Sequence, residues 1–228
     1  MQQDFWLQRW QKGETGFHQE QLNPYLIYFY GDKAAPAEKQ QGLKVFVPLC
    51  GKSVDMLWLA QNGYQVIGIE CSDIAVQAFF DEQKLDYQLI EGKPFNRYIS
   101  DAREGQARIE ILQGDFFDLD KSDLEGITDI YDRASMIALP EAMRKDYSSK
   151  MFALQNTGMR TLLITLTYPQ AEMNGPPFSV SEDELNEYYG EVFKIDKLLG
   201  KDILADEPSF QQRGLTSLYE AAYQLTRK

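Results

Sequence analysis

Short apolar runs alternate with helical stretches along most of this chain. Leu43–Val47 (LKVFV) reads as a buried strand. Ser53–Asn62 follows as a helix, with Ser53 at its N-cap, Val54, Leu57 and Trp58 on one face, and Gly63 as its stop. Gln65–Ile69 (QVIGI) is a second strand and Ser72–Asp81 a second serine-capped helix. Arg108–Leu112 (RIEIL) and Ile127–Tyr131 (ITDIY) are further strands, followed by a helix over Glu141–Gln155 and a fifth strand over Thr161–Thr167 (TLLITLT). Ser181 and Glu184 have capping-box spacing at the head of a helix to Tyr189. Val192–Leu199 and Ser217–Thr226 close the chain as consecutive strands, the last alternating Tyr219, Ala221, Tyr223 and Leu225 onto one face. A parallel neighbour is reached only by a crossover, so this order predicts an α/β fold: a mostly parallel sheet with helices on both faces. The two terminal strands add an antiparallel member, for seven strands in all.

Before the first strand, Leu22, Tyr25, Leu26 and Phe29 recur at helical spacing and predict a helix over Gln19–Tyr30. Gly31–Gly42 reads as a loop. A length of 228 residues suits one domain of this class. The charge excludes several partners: 23 basic against 35 acidic residues give −12, which disfavours nucleic-acid backbones and anionic membranes. Cys50 and Cys71 are too few for a disulfide framework or a cysteine-rich zinc site, and both read as packing residues. One histidine, His18, rules out a multi-imidazole metal centre; it reads as a helix cap or a packed ring. No G-x-S-x-G is present. The start, MQQDFWLQRWQKG, lacks a signal peptide's apolar core, so a cytoplasmic protein is expected.

In such sheets ligands bind beyond the carboxyl ends of the strands. After the first strand comes Pro48-Leu49-Cys50-Gly51-Lys52-Ser53. Its glycine lets backbone approach a ligand, but the hexamer is neither a G-x-G-x-x-G turn nor a phosphate loop, and alone it could be a plain connection. Glu70 follows the second strand, 19 residues beyond Gly51, close to the offset at which an acid binds a ribose diol. Gly114-Asp115-Phe116 follows the third strand and offers an acid and a ring to an adenine, or forms an ordinary turn. Asp132-Arg133 follows the fourth; it is suited to an anion or an amino-acid carboxylate, or is a surface ion pair. A ribose acid without a pyrophosphate turn points to S-adenosylmethionine, a nucleoside that carries no phosphate.

The segments Trp6-x-x-x-Trp10 through Gly16-Phe17-His18, then VFVPLCGKSVDMLWLAQNGYQVIGIE, GDFFDL, YDRASMIALP and NGPPF extend from about Phe5 to Phe178. In these segments the sequence resembles the thiopurine S-methyltransferase family, including its bacterial members. The resemblance implies a Rossmann-like class I S-adenosylmethionine-dependent methyltransferase, a single domain over 1–228 with 1–30 as an N-terminal helical lid. It implies cofactor positions at Trp6, Trp10, Leu49, Gly51, Glu70, Asp115, Phe116 and Arg133, and places Phe17 near the substrate. Trp6 and Trp10, four residues apart, also fit one apolar helix face.

The implied reaction is displacement at a methyl carbon by a sulfur nucleophile, releasing S-adenosylhomocysteine. A heteroaromatic thiol is acidic enough to need no strong base, which agrees with a single histidine. Arg133 and Asp132 are the catalytic candidates, Arg133 holding the anionic acceptor and Asp132 guiding solvent. Phe17, Tyr168 and Phe178 offer rings to a flat heterocycle. The expected acceptor is a small-molecule thiol, a thiopurine or another aromatic thiol, or a selenium or tellurium species. The chain is expected to act as a monomer, without a metal. A nicotinamide-nucleotide oxidoreductase and a non-catalytic nucleoside-binding module are the alternative readings.

Overall fold

The computed structural model describes residues 3–31, 43–101, 103 and 105–228; the expected loop beyond Gly31 lies outside the described residues. Contacts gather the chain into two compact units, one reaching to Tyr131 and one over Asp132–Lys228.

The first unit is built on β1 (Lys44–Val47), β2 (Gln65–Glu70), β5 (Ile109–Gln113) and the start of β6 (Asp129–Arg133). These pair in parallel, with Val45 opposite both Val66 and Asp129, and Gly68 opposite Ile111. Helices α3 (Asp55–Gln61) and α4 (Asp73–Glu82) follow β1 and β2, as the alternation predicts. Ser72 caps α4, its hydroxyl accepting the Ala75 N–H at 3.3 Å. Val45, Phe46, Ile69, Phe79, Phe80 and Ile111 are all fully buried. Each such side chain contributes about 1.5–3 kcal/mol of burial, which fixes the strands whose ends carry the polar residues.

Nine strands are present among the described residues, rather than seven. The two additions are β3 (Tyr87–Ile90) and β4 (Asn96–Ser100), which extend this unit in the order β3-β4-β5-β2-β1-β6. All four residues of β3 are exposed, so no inward-outward alternation marks it in the sequence. Antiparallel pairing with β4 holds it, with the Tyr87 ring 4.8 Å from Phe80 and 5.2 Å from Tyr98.

The N-terminal part of this unit also differs from expectation. Gln3–Gln11 forms a helix, α1. The helix expected over Gln19–Tyr30 begins only at Pro24, as α2 (Pro24–Leu26), and widens into a π-turn over Ile27–Gly31. A residue before proline is driven away from the helical region, so Asn23 becomes the cap and Leu22 is left exposed. His18 therefore caps no helix; its N–H closes a turn onto the Thr15 carbonyl at 2.8 Å.

The second unit takes β6 onward. It contains α5 (Glu141–Leu154), β7 (Arg160–Thr167), α6 (Glu182–Tyr189), β8 (Phe193–Asp202), the short α7 (Pro208–Gln212) and β9 (Tyr219–Arg227). Its strand order is β6-β7-β9-β8, with β9 antiparallel to both β7 and β8. The antiparallel C-terminal pair thus forms as expected. Only half of the Ser181 capping box forms: Ser181 Oγ accepts the Glu184 N–H at 3.1 Å, while the Glu184 carboxylate lies 3.1 Å from Arg144 Nε.

Candidate active site

In the first unit, the turn after β1 bends through two left-handed residues, Leu49 (φ 44°) and Gly51 (φ 52°). For leucine that conformation costs on the order of 1–2 kcal/mol, so the surroundings must enforce it. The Cys50 N–H donates to the Ile69 carbonyl at 2.9 Å and laces the turn to β2. Gly68 in β2 makes room for this: a Cβ there would stand 2.7 Å from Cys50 Sγ.

Glu70 ends β2, 6% exposed, and reaches back to the same turn. Its Oε2 accepts the Gly51 N–H at 3.0 Å. Its Oε1 accepts the Ser72 N–H at 2.8 Å and the Cys71 thiol at 3.3 Å. Burial pushes the Glu70 carboxyl above its ordinary value, and these donors oppose the rise. Burial and then the Glu70 charge push the Cys71 thiol well above its ordinary range, so it stays protonated as a donor.

Trp10, 6% exposed, covers the turn from outside: a Cβ on Gly51 would meet its ring at 3.4 Å. Phe17 packs edge-on to both tryptophans, at 5.3 Å from Trp6 and 5.4 Å from Trp10, yet remains 40% exposed. Asp115 caps the turn after β5, its Oδ1 accepting the Phe117 N–H at 2.9 Å, and Phe116 is buried behind it. The first unit therefore brings together Trp6, Trp10 and Phe17 in one aromatic cluster, and Leu49, Gly51 and Glu70 around one turn, with Trp10 common to both.

The second unit holds the remaining candidates. Asp132 and Arg133 are the last residues of β6 rather than the residues after it, and Ala134 turns the chain with a left-handed φ of 65°. Asp132 does not face solvent. It is 1% exposed, and its Oδ2 accepts the Tyr147 hydroxyl at 2.7 Å. Burial pushes its carboxyl up to about 6, against the pull of Tyr147, Ser135 and Met136. Asp132, expected to guide solvent, is thus turned inward toward Tyr147. Arg133 is half-buried; burial pushes the carboxyl of Glu220 in β9 above its ordinary value, and the Arg133 charge opposes that rise. Tyr168 follows β7 and is 5% exposed, its hydroxyl donating to the Pro177 carbonyl at 2.6 Å. Phe178 is half-buried, with its ring over Gly175, where a Cβ would stand 2.5 Å from it.

Sequence reading missed Cys71 as a partner of Glu70 and Tyr147 as the partner of Asp132. It also missed Asp55, an acid with no exposed surface at the start of α3. The face that packs inward is Asp55, Met56, Leu59 and Ala60, whereas the expected face of Val54, Leu57 and Trp58 is only half-buried, so the available signal was the i, i+1, i+4, i+5 spacing that puts Asp55 with Met56, Leu59 and Ala60.

The fold is shared with solved methyltransferases. An S-adenosylmethionine-dependent methyltransferase from Anabaena variabilis superposes with a TM-score of 0.66 at 15% identity, over 99% of this chain and 95% of that one. Magnesium protoporphyrin IX methyltransferase from Synechocystis, solved with bound S-adenosylhomocysteine, gives 0.63 at 13% identity, over 99% of each chain. The architecture is that of the S-adenosylmethionine-dependent methyltransferases. Sequence narrows the class further. The family model described as Thiopurine S-methyltransferase matches residues 1–228. Proteins named thiopurine S-methyltransferase are 43% identical in Nitrosospira multiformis, over 99% of this chain and 98% of that protein, and 44% identical in Xanthomonas campestris, over the whole of both. The chain belongs to the thiopurine S-methyltransferase family and is a methyltransferase dependent on S-adenosylmethionine. The oxidoreductase reading falls with that assignment. Among the described residues no cluster of metal-binding side chains is present and no helix is long and apolar enough to cross a membrane.

Proposed function

We propose that this enzyme transfers a methyl group to the sulfur of thiopurines or other aromatic and heterocyclic thiols, with selenium and tellurium species as further acceptors. The observation that carries the site assignment is Glu70, a buried carboxylate at the end of β2 hydrogen-bonded to the single-glycine turn at 3.0 Å. A ribose diol presents two donors. The Gly51 and Ser72 N–H groups and the Cys71 thiol already donate to Glu70, so a diol must share with or displace a donor. The Cys71 thiol is the weakest of the three donors and is the one that yields to the second hydroxyl. Trp10 supplies a ring face to the methionine arm or the sulfonium, and Leu49 and the Gly51 backbone line the turn. Asp115 and Phe116 serve the adenine side. When bound, S-adenosylmethionine supplies an electrophilic methyl group on a cationic sulfur.

The chain's own contribution is approach and dryness. Thiolate and sulfonium neutralise each other on the way to the transition state, so excluding water favours reaction. Residues 1–30 act as the lid that excludes it, presenting Phe17 to the acceptor. Arg133 holds the anionic acceptor or the methionine carboxylate, while Asp132, bonded to Tyr147, positions the strand end that carries it. Tyr168 braces the stretch bearing Phe178, and Phe178 offers its ring to the heterocycle. The acceptor is a free small molecule and the enzyme a cytoplasmic monomer, in keeping with a net charge of −12 that suits neither nucleic acid nor anionic membrane.

Calorimetric titration with S-adenosylhomocysteine tests the ribose assignment. Glu70→Ala should weaken binding by about 1.5–3 kcal/mol, the size of a hydrogen bond to a charged group. Cys71→Ala, which removes a competitor for Oε1, should bind at least as tightly as the wild type. Equal affinity for Glu70→Ala and wild type would remove Glu70 from the ribose.

A further inference from the structure

Asp55 is an acid with no exposed surface at the first position of α3, two residues beyond the turn that ends at Ser53. Its two oxygens are taken by different elements. Oδ1 accepts the backbone N–H of Asn23 at 3.0 Å, and Oδ2 accepts the Tyr131 hydroxyl at 2.8 Å. Asn23 is itself buried and ends the segment that precedes α2; its side chain caps the Tyr25 N–H at 2.9 Å. The same segment meets the cofactor turn a second time, where Trp10 lies against Gly51. Residues 10–23 are therefore tied at both ends to one five-residue stretch, 51–55, with Phe17 between the ties.

We propose that Asp55 is a positioning residue for the cofactor and acceptor sites, pinning Asn23 so that Trp10 and Phe17 are held over the turn. The proposal rests on the reading that the N-terminal segment covers the cofactor. Its physical basis is chain entropy. A segment tied at two points samples far fewer arrangements than one tied at a single point, so Trp10 is presented to Gly51 at high effective concentration. The tie is durable because a buried carboxylate that loses its donor is left poorly solvated.

A single backbone N–H can be removed in isolation. Asn23 has φ −71°, which proline also adopts, so Asn23→Pro deletes the donor together with the side-chain cap, whereas Asn23→Ala deletes the cap alone. Against Asn23→Ala, Asn23→Pro should raise the rate of trypsin cleavage at Lys12, the dissociation constant of S-adenosylhomocysteine and the acceptor KM, each by about tenfold, the equivalent of about 1.4 kcal/mol. The kcat at saturating substrates should stay within about threefold, since the loss is one of placement rather than chemistry. Tyr131→Phe removes a second donor to Asp55 and should lower the melting temperature without moving cleavage or KM.

A second pair of variants covers a proline chain that does not fold. Asp55→Asn can turn its oxygen to the Asn23 N–H and its amide to the Tyr131 oxygen, so it should restore the affinity that Asp55→Ala loses. Equal cleavage and affinity for Asn23→Pro and Asn23→Ala would overturn the pin, as would equal affinity for Asp55→Asn and Asp55→Ala. Trp10→Ala separates the two levels. If it weakens binding while the pin variants do not, the pin alone is wrong. If it leaves binding unchanged, the reading beneath it is wrong.

Discussion

Glu70 and Asp132 are both buried acids at the ends of strands, and burial raises both carboxyls. Glu70 was legible in the sequence because its 19-residue offset from Gly51 has a chemical meaning. Asp132 was legible as a position but not as a role, since nothing in Asp-Arg says which of the two turns inward. The raised value sets a sign for stability. Below the ordinary carboxyl range Asp132 is protonated in folded and unfolded chains alike, and its contribution is fully present. As pH climbs through about 6 the folded group must ionise in a buried place, and that contribution is lost. Asp132→Asn keeps an acceptor for Tyr147 and never ionises. It should therefore be more stable than wild type at pH 8, by up to about 3 kcal/mol, with the gain fading toward pH 4. Denaturant titrations at the two pH values measure this, and an equal difference at both would show that ionisation of Asp132 is not the cause.

Among the elements, those that bury one face were readable and those that do not were hidden. β1, β2 and β5 are apolar because both faces are covered, so short aliphatic runs marked them. β3 escaped notice because its residues are exposed and its support comes from ladder bonds and from Phe80 and Tyr98, distant in sequence. The first aromatic segment was readable as apolar spacing at Trp6 and Trp10. Its second half was not, because Pro24 moves the helix start five residues beyond the expected Gln19. This segment should behave as a closing element. S-adenosylhomocysteine should slow trypsin at Arg9 and Lys12 and change the tryptophan emission, as the half-buried Trp6 loses solvent. A chain trimmed of residues 1–18 should keep its sheet, seen by circular dichroism, and lose activity by orders of magnitude. Wild-type turnover and cofactor affinity in the trimmed chain would strike Trp10 and Phe17 from the site.

At the level of the whole molecule, the cofactor candidates Trp6, Trp10, Leu49, Gly51, Glu70, Asp115 and Phe116 and the acceptor candidate Phe17 fall in the first compact unit, whereas the cofactor candidate Arg133, with Asp132, Tyr168 and Phe178, falls in the second. This division was not visible in a sequence whose length and alternation suggested one continuous rhythm. A ribose acid and a one-glycine turn are generic chemistry for the nucleoside, readable from spacing. Acceptor choice rests on rings and a cation whose spacing carries no such code, so only the resemblance pointed to sulfur.

Methyl transfer to sulfur is tested by supplying the purified chain with S-adenosylmethionine labelled in the methyl group, a thiopurine, and the same heterocycle with oxygen in place of sulfur, with a chelator present throughout. Label is expected on the sulfur of the thiopurine, with stoichiometric release of S-adenosylhomocysteine, little transfer to the oxygen analogue, and full turnover in the chelator. Label on nitrogen or oxygen, or tight S-adenosylhomocysteine binding with no transfer to any thiol, would contradict it.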